Sequence, residues 1–76
     1  MSDTVTIAGG KIKMETFKAY LIEKGGKEEW IPKSQVKGLE VQNEKKNDRG
    51  QYIDTELLYM EIPAWLGEKG NIKVLL

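Results

Sequence analysis

The stretch Phe17-Lys-Ala-Tyr-Leu-Ile-Glu-Lys-Gly-Gly-Lys-Glu-Glu-Trp-Ile31 decides how this chain folds. At period two, Phe17, Ala19 and Leu21 share one face, and Tyr20 and Ile22 share the other, which describes a strand buried on both sides. At helical period, Met14, Phe17 and Leu21 share a face instead, with Gly25 as a C-cap. The residues that follow favour the strand. Gly25-Gly26 is a turn signal, and Glu28-Glu29-Trp30-Ile31 is a short apolar-ended segment behind it. A hairpin pairing residues 17–24 with 28–31 accounts for both glycines.

Towards the C-terminus, Pro32 ends the second strand because it has no N–H for a ladder. It also presets φ for one helical turn, Lys33-Ser34-Gln35-Val36, closed by Gly38. Leu39 to Gln42 alternates and reads as a third strand. Asn43 to Gly50 has no apolar residue and is rich in Asn, Asp and Gly, so it reads as a polar turn. Tyr52 to Ile62 spreads apolar residues over both faces and makes a second hairpin across that turn. A helix from Asp54 competes, with Leu58 and Ile62 at i, i+4, but Pro63 stops it. Pro63 is better placed at the start of a short helix, Ala64 to Lys69, capped by Gly70. Ile72 to Leu76 alternates weakly and is expected to close the sheet as a last strand. Upstream, Val5 and Ile7 alternate with threonines in a strand that Gly9-Gly10 breaks. The expected architecture is mainly β: one small partly open barrel, SH3-like or OB-like, with one short helix near the C-terminus. Residues 1–76 make a single small domain.

A domain of 76 residues buries only about 60–65% of the surface its unfolded chain exposes, so its core is thin. Phe17, Tyr20, Trp30, Tyr52, Tyr59 and Trp65 are the large side chains available to fill it. They leave no volume for a deep substrate cavity. The chain has no cysteine, so it carries no disulfide and no thiolate metal site. Its first residues, Met1 to Thr4, show neither a basic region nor an apolar run of signal-peptide length. No stretch approaches the ~20 apolar residues of a membrane span. A cytoplasmic location is expected. Twelve basic and twelve acidic residues cancel, which removes the positive excess that drives generic nucleic-acid binding.

With no histidine and no cysteine, the commonest general base and the strongest nucleophile are missing, and a non-enzyme is expected. Ser2 and Ser34 have no base beside them in sequence. Asp54 and Glu56 would share a strand face about 7 Å apart, with Glu61 further on; a solvated strand edge is the expectation over a catalytic pair. Asn43, Glu44, Asn47 and Asp48 offer oxygens in one turn, but not at the spacing of a calcium loop. No cofactor and no metal are expected. Gly9-Gly10 and Gly25-Gly26 lack the spacing and following helix of a phosphate loop.

The constellation of interest is aromatic and basic. Lys18, Tyr20, Lys24, Lys27, Trp30, Lys33 and Lys37 cluster in the first half. On a hairpin, Tyr20 and Trp30 could share one sheet face ringed by lysines, as single-strand-binding barrels arrange stacking aromatics. Alternatively both are core and the lysines only solubilise. Glu15, Glu23, Glu28 and Glu29 dilute the positive field, which favours the second reading. Lys45, Lys46 and Arg49 form a second basic group at the polar turn, flanked by Glu44 and Asp48. Trp65 is expected to plug the open end of the barrel, with anchoring of a partner as the alternative. Leu75-Leu76 could form a strand edge that pairs with a second copy.

Trp-Ile-Pro-Lys-Ser-Gln-Val at 30–36 is the most distinctive string. Together with Lys18 to Ile22 and Glu61 to Gly70 it resembles a group of small uncharacterised proteins of bacteriophages and prophages, over residues 17–70. The chain departs from that group in a longer middle, about 43–58, and in the extension from Gly70 to Leu76. The resemblance implies a mobile-element protein in a bacterial cytoplasm and carries over no functional residue. The function expected is a non-catalytic binding module for a protein partner or a second copy of itself, with no membrane and no small-molecule substrate. The alternative is a nucleic-acid-binding small barrel using Tyr20 and Trp30. The candidate contact residues are Lys18, Tyr20, Lys27, Trp30, Lys33, Lys45, Lys46 and Arg49.

Overall fold

The computed structural model describes residues 3–76. Six strands form one sheet: β1 Thr4–Ala8, β2 Lys11–Glu15, β3 Ala19–Lys24, β4 Lys27–Pro32, β5 Gly38–Gln42 and β6 Ile53–Pro63. All pairings are antiparallel. The eleven-residue β6 is the spine. Along one side it pairs first with β1, from Thr4 opposite Pro63 to Ala8 opposite Tyr59, and then with β2, from Lys11 opposite Glu56 to Met14 opposite Ile53. Along the other side it pairs with β5. β3 and β4 continue the sheet beyond β2. The result is mainly β, a sheet curled into a half-barrel with short helical turns near the C-terminus.

The decisive hairpin forms as read. Lys24 pairs with Lys27 across Gly25-Gly26, whose φ values of 59° and 82° suit glycine. A helix across Met14 to Lys24 is ruled out. The strand expected over 17–24 begins at Ala19 instead, a separate strand, β2, precedes it, and Phe17 lies in the loop between the two, 85% exposed. Thr16 Oγ1 holds that loop by accepting from the Ala19 N–H at 3.2 Å. At the other end of β2, Gly10 has φ 84°, and a Cβ there would meet the Glu23 carbonyl oxygen at 2.5 Å. Only glycine lets the chain step from β1 to β2 so close to β3.

The core is aliphatic. Ile7, Ile12, Ile22, Ile31, Met60, Ile62 and Leu75 are fully buried, with Leu57, Leu66 and Ile72 nearly so. This corrects the expectation of an aromatic core. Tyr20 and Tyr52 only flank it, while Trp30, Tyr59 and Trp65 are exposed. The isoleucines suit the strands that carry them, since β-branched side chains pack well on a pleated surface in few rotamers.

The C-terminal end also differs. Ala64–Gly67 is a helical turn, α1, but Gly70 opens a second one, α2 Gly70–Lys73, instead of capping the first. No last strand forms: after α2 the N–H of Leu75 donates to the Ile72 carbonyl at 2.9 Å. Leu75 is buried and is not a strand edge for a second copy. The barrel end is plugged by Leu66, Ile72 and Leu75, and Trp65 points away at 56% exposed. The cause is helical spacing, since Leu66 and Trp65 are neighbours on a one-turn helix and cannot both face inward. Lys33–Gln35 is a 3-10 turn as expected, although Gly38 begins β5 rather than closing it.

Candidate functional site

Tyr20 and Trp30 stand on opposite faces of the sheet, which corrects the expected shared face. Tyr20 is opposite Ile31, and Trp30 is opposite Leu21. Ile31 and Ile22 are fully buried, so Tyr20, level with them, faces inward. Trp30 faces outward, 43% exposed. Strand parity separates two residues that sequence proximity seemed to unite.

Inside, Tyr20 joins a cluster at the mouth of the half-barrel. Its ring centroid lies 6.4 Å from that of Tyr52, tilted by 43°. Lys33 Nζ sits over the Tyr20 ring at 5.3 Å, and Lys46 Nζ over the Tyr52 ring at 4.9 Å. Both distances suit cation–π attraction. Glu15 lies among them, its side chain 11% exposed, ion-paired with Lys33 and accepting the Tyr52 N–H at 2.9 Å. Burial by itself would push the Glu15 carboxyl up, but the hydrogen bonds from Lys33 and the Tyr52 amide, with the charges of Lys33 and Lys46, bring it below its ordinary value. Burial raises both tyrosine hydroxyls, helped by Glu15 at Tyr20 and Glu44 at Tyr52. Every charge in this cluster has an opposite neighbour, so it holds the mouth together and presents no open cation.

Outside, the register builds a row across four strands. Ile53 on β6 is opposite Met14 on β2, Met14 is opposite Leu21 on β3, and Leu21 is opposite Trp30 on β4. Ile53, Met14 and Trp30 are 38%, 44% and 43% exposed. A double irregularity creates the row. The β2–β3 register shifts between Ile12 and Met14, and Asp54, beside Lys13, takes φ 40°. Ile12 and Thr55 are therefore buried, while Met14 and Ile53, two residues along, face out. Beyond Trp30, Pro32 and Phe17 line a surface recess of about 350 Å³ with Lys18, Lys33 and Ser34. No acidic residue lines it. On the opposite flank of the row Lys13 pairs with Glu28.

Of the eight candidate residues, Tyr20, Lys33 and Lys46 come together inside the mouth. Trp30, Lys18 and the other side of Lys33 belong to the outer face and its recess. Lys27 is exposed on β4 beside the hairpin turn, and Lys45 and Arg49 are exposed in the polar turn. Lys45 donates its N–H to Thr55 Oγ1 at 3.0 Å, which ties the turn back to β6. Sequence reasoning missed Met14, Leu21 and Ile53 as a row, and Glu15 and Tyr52 as members of the cluster.

The other chemical candidates do not assemble. Asp54 pairs with Lys11 at 3.6 Å, Glu56 accepts from Gln42 and Asn43 at 2.6 and 2.9 Å, and Glu61 accepts from Thr4 Oγ1 at 3.0 Å. The two amides lower the Glu56 carboxyl and keep it ionised. In the polar turn, Asn47 Oδ1 accepts the N–H groups of Arg49 and Gln51. Among the described residues no group of three acidic side chains is placed to hold a metal ion, and no helix is long and apolar enough to cross a membrane. Ser2 lies outside the described residues. No family model, curated protein or solved structure matches the chain.

Proposed function

We propose that this chain is a non-catalytic protein-binding module that grips its partner with the outer row Ile53–Met14–Leu21–Trp30. One observation carries the reading: four apolar side chains from four strands line up across the outer face, and three of them are more than a third exposed. Exposed apolar patches of this kind mark interaction sites, and Trp is the residue most enriched among binding hot spots. The Phe17–Pro32 recess extends the row at one end, edged by Lys18, while Lys33 on its other side is held by Glu15. The partner is accordingly a protein surface of apolar side chains with a carboxylate at the edge that meets Lys18.

The neutral charge balance and the lack of His and Cys support binding over catalysis. A phage or prophage source and a cytoplasmic setting are part of the same proposal and rest on the 30–36 string. The stacking of nucleic-acid bases between Tyr20 and Trp30 has lost its geometric basis, since the two lie on opposite faces.

Fluorescence tests the reading in a Trp65→Phe background, where Trp30 is the only reporter. A captured protein should shift Trp30 emission to the blue, and its binding should vanish with Trp30→Glu and persist with Lys45→Gln. A protein that binds Trp30→Glu equally well overturns the proposal. So does emission that responds only to single-stranded DNA or RNA with a steep salt dependence.

A further inference from the structure

We infer that β1 is a self-pairing edge through which two copies of this chain join their sheets, independently of the outer row. The sheet has three edges: β1, β4 and β5 each pair with a single strand. Two of them carry the residues that discourage further pairing. The β4 edge holds Lys27, Glu28, Glu29 and Pro32, and β5 holds Glu40 on an exposed position. β1, Thr-Val-Thr-Ile-Ala, has no charge, no proline and no glycine.

Its backbone is oriented for pairing. The Asp3 carbonyl accepts the Ala64 N–H at 2.6 Å, and the Gly9 N–H donates to the Leu58 carbonyl at 3.3 Å. Pro63, which has no N–H, sits opposite Thr4. Main-chain groups alternate along a strand, so the odd-numbered residues between Asp3 and Gly9 aim at β6. Thr6 and Ala8 therefore turn their N–H and C=O groups outward along the edge, and both are exposed.

The occupant that fits is a second β1. Antiparallel pairing about a two-fold axis at Thr6 places Thr6 against its own copy in a hydrogen-bonded pair, where threonines suit each other across strands. The same register sets Val5 opposite Ile7. Ile7 is already fully buried in the single chain, so on the core face the junction gains its apolar contact from Val5, which is half-buried. No like charges meet anywhere along the five residues.

Sedimentation and amide exchange on the whole chain test this. The mass should rise with concentration from 8.6 kDa towards twice that value, and the Thr6 and Ala8 amides should become protected in step. Thr6→Pro removes a donor that points away from β6, so the fold stays intact. It should weaken the dimer about tenfold or more by deleting two symmetric hydrogen bonds. Thr6→Lys, on an exposed position opposite Glu61, puts two ammonium groups face to face and should leave a monomer. Trp30→Glu should leave the dimer unchanged. A mass constant at 8.6 kDa up to about millimolar concentration overturns the inference. So does protection of those amides that is independent of concentration, or a dimer that Trp30→Glu dissolves and Thr6→Pro does not.

Discussion

The two faces of the β2–β3–β4 sheet use the same kinds of residue in opposite ways. On the inner face Tyr20 and Tyr52 are covered by Lys33 and Lys46, and Glu15 sits between them with its charge matched. On the outer face Trp30, Met14 and Ile53 remain more than a third exposed. The difference teaches that an aromatic beside lysines is not in itself a binding site. What counts is whether the surrounding charges are already satisfied within the molecule. The inner cluster is a seal, stiff because its members need each other, and the outer row is a surface whose apolar area is still available.

The sharpest way to break this contrast uses neighbouring residues of β4. Ile31→Ala empties a fully buried position and should cost about 2–5 kcal/mol in chemical denaturation. Trp30→Ala, one residue earlier and on the other face, should cost under about 1 kcal/mol despite deleting a larger side chain. If the two losses are equal, the faces are not distinct.

Glu15→Gln probes the seal. It should destabilise the fold by about 1–2 kcal/mol at neutral pH, since it weakens charge-assisted bonds to Lys33 and to the Tyr52 amide. Because the folded protein lowers this carboxyl, its contribution is present above the ordinary carboxylate range and is lost as pH falls through the lowered value. The variant should therefore fall furthest behind the wild type at neutral pH and draw level with it as acidification passes below the ordinary carboxylate range and protonates Glu15 in the folded protein. Denaturation midpoints across that window check the sign. A wild type that gains on the variant as pH falls would show that the carboxyl is raised instead.

The smallest effect is expected at the rim. Lys13→Gln removes the ion pair with Glu28, both of whose partners are exposed, and should leave the denaturation midpoint essentially where it is. Its value is as a control. It alters charge beside the outer row without altering the row, so a partner held by apolar contact should still bind it within a few-fold.

Much of the fold is legible in the amino-acid sequence. The paired glycines 25–26, the alternation of Leu39 to Gln42, the polar 43–50 turn and Pro63 each constrain backbone φ or main-chain hydrogen bonding locally, and each marks a real boundary. The site was less legible. Lys33 and Tyr20 were singled out, but their partner Glu15 is five residues from Tyr20 and meets it only through the β2–β3 register. Met14 and Ile53 face solvent because of the irregularity at Lys13 and Asp54, and neither residue is of a type that announces a bulge. The C-terminus misled for a related reason. Ile72 to Leu76 alternates weakly enough to suit either a strand or a helical turn, and the choice belongs to the barrel end that needs Leu66, Ile72 and Leu75 as its plug.

The amino-acid sequence by itself determined a β-rich chain with its turns in place, a balanced surface charge and no imidazole or thiol chemistry. These follow from properties each residue carries alone or shares with its nearest neighbours. Tertiary structure decided which aromatic residues are sealed and which are displayed, and which strand edge is left unguarded. Those outcomes depend on register and bulges, where one residue of slippage moves a side chain to the other face, and register is set only when distant strands close on a common core.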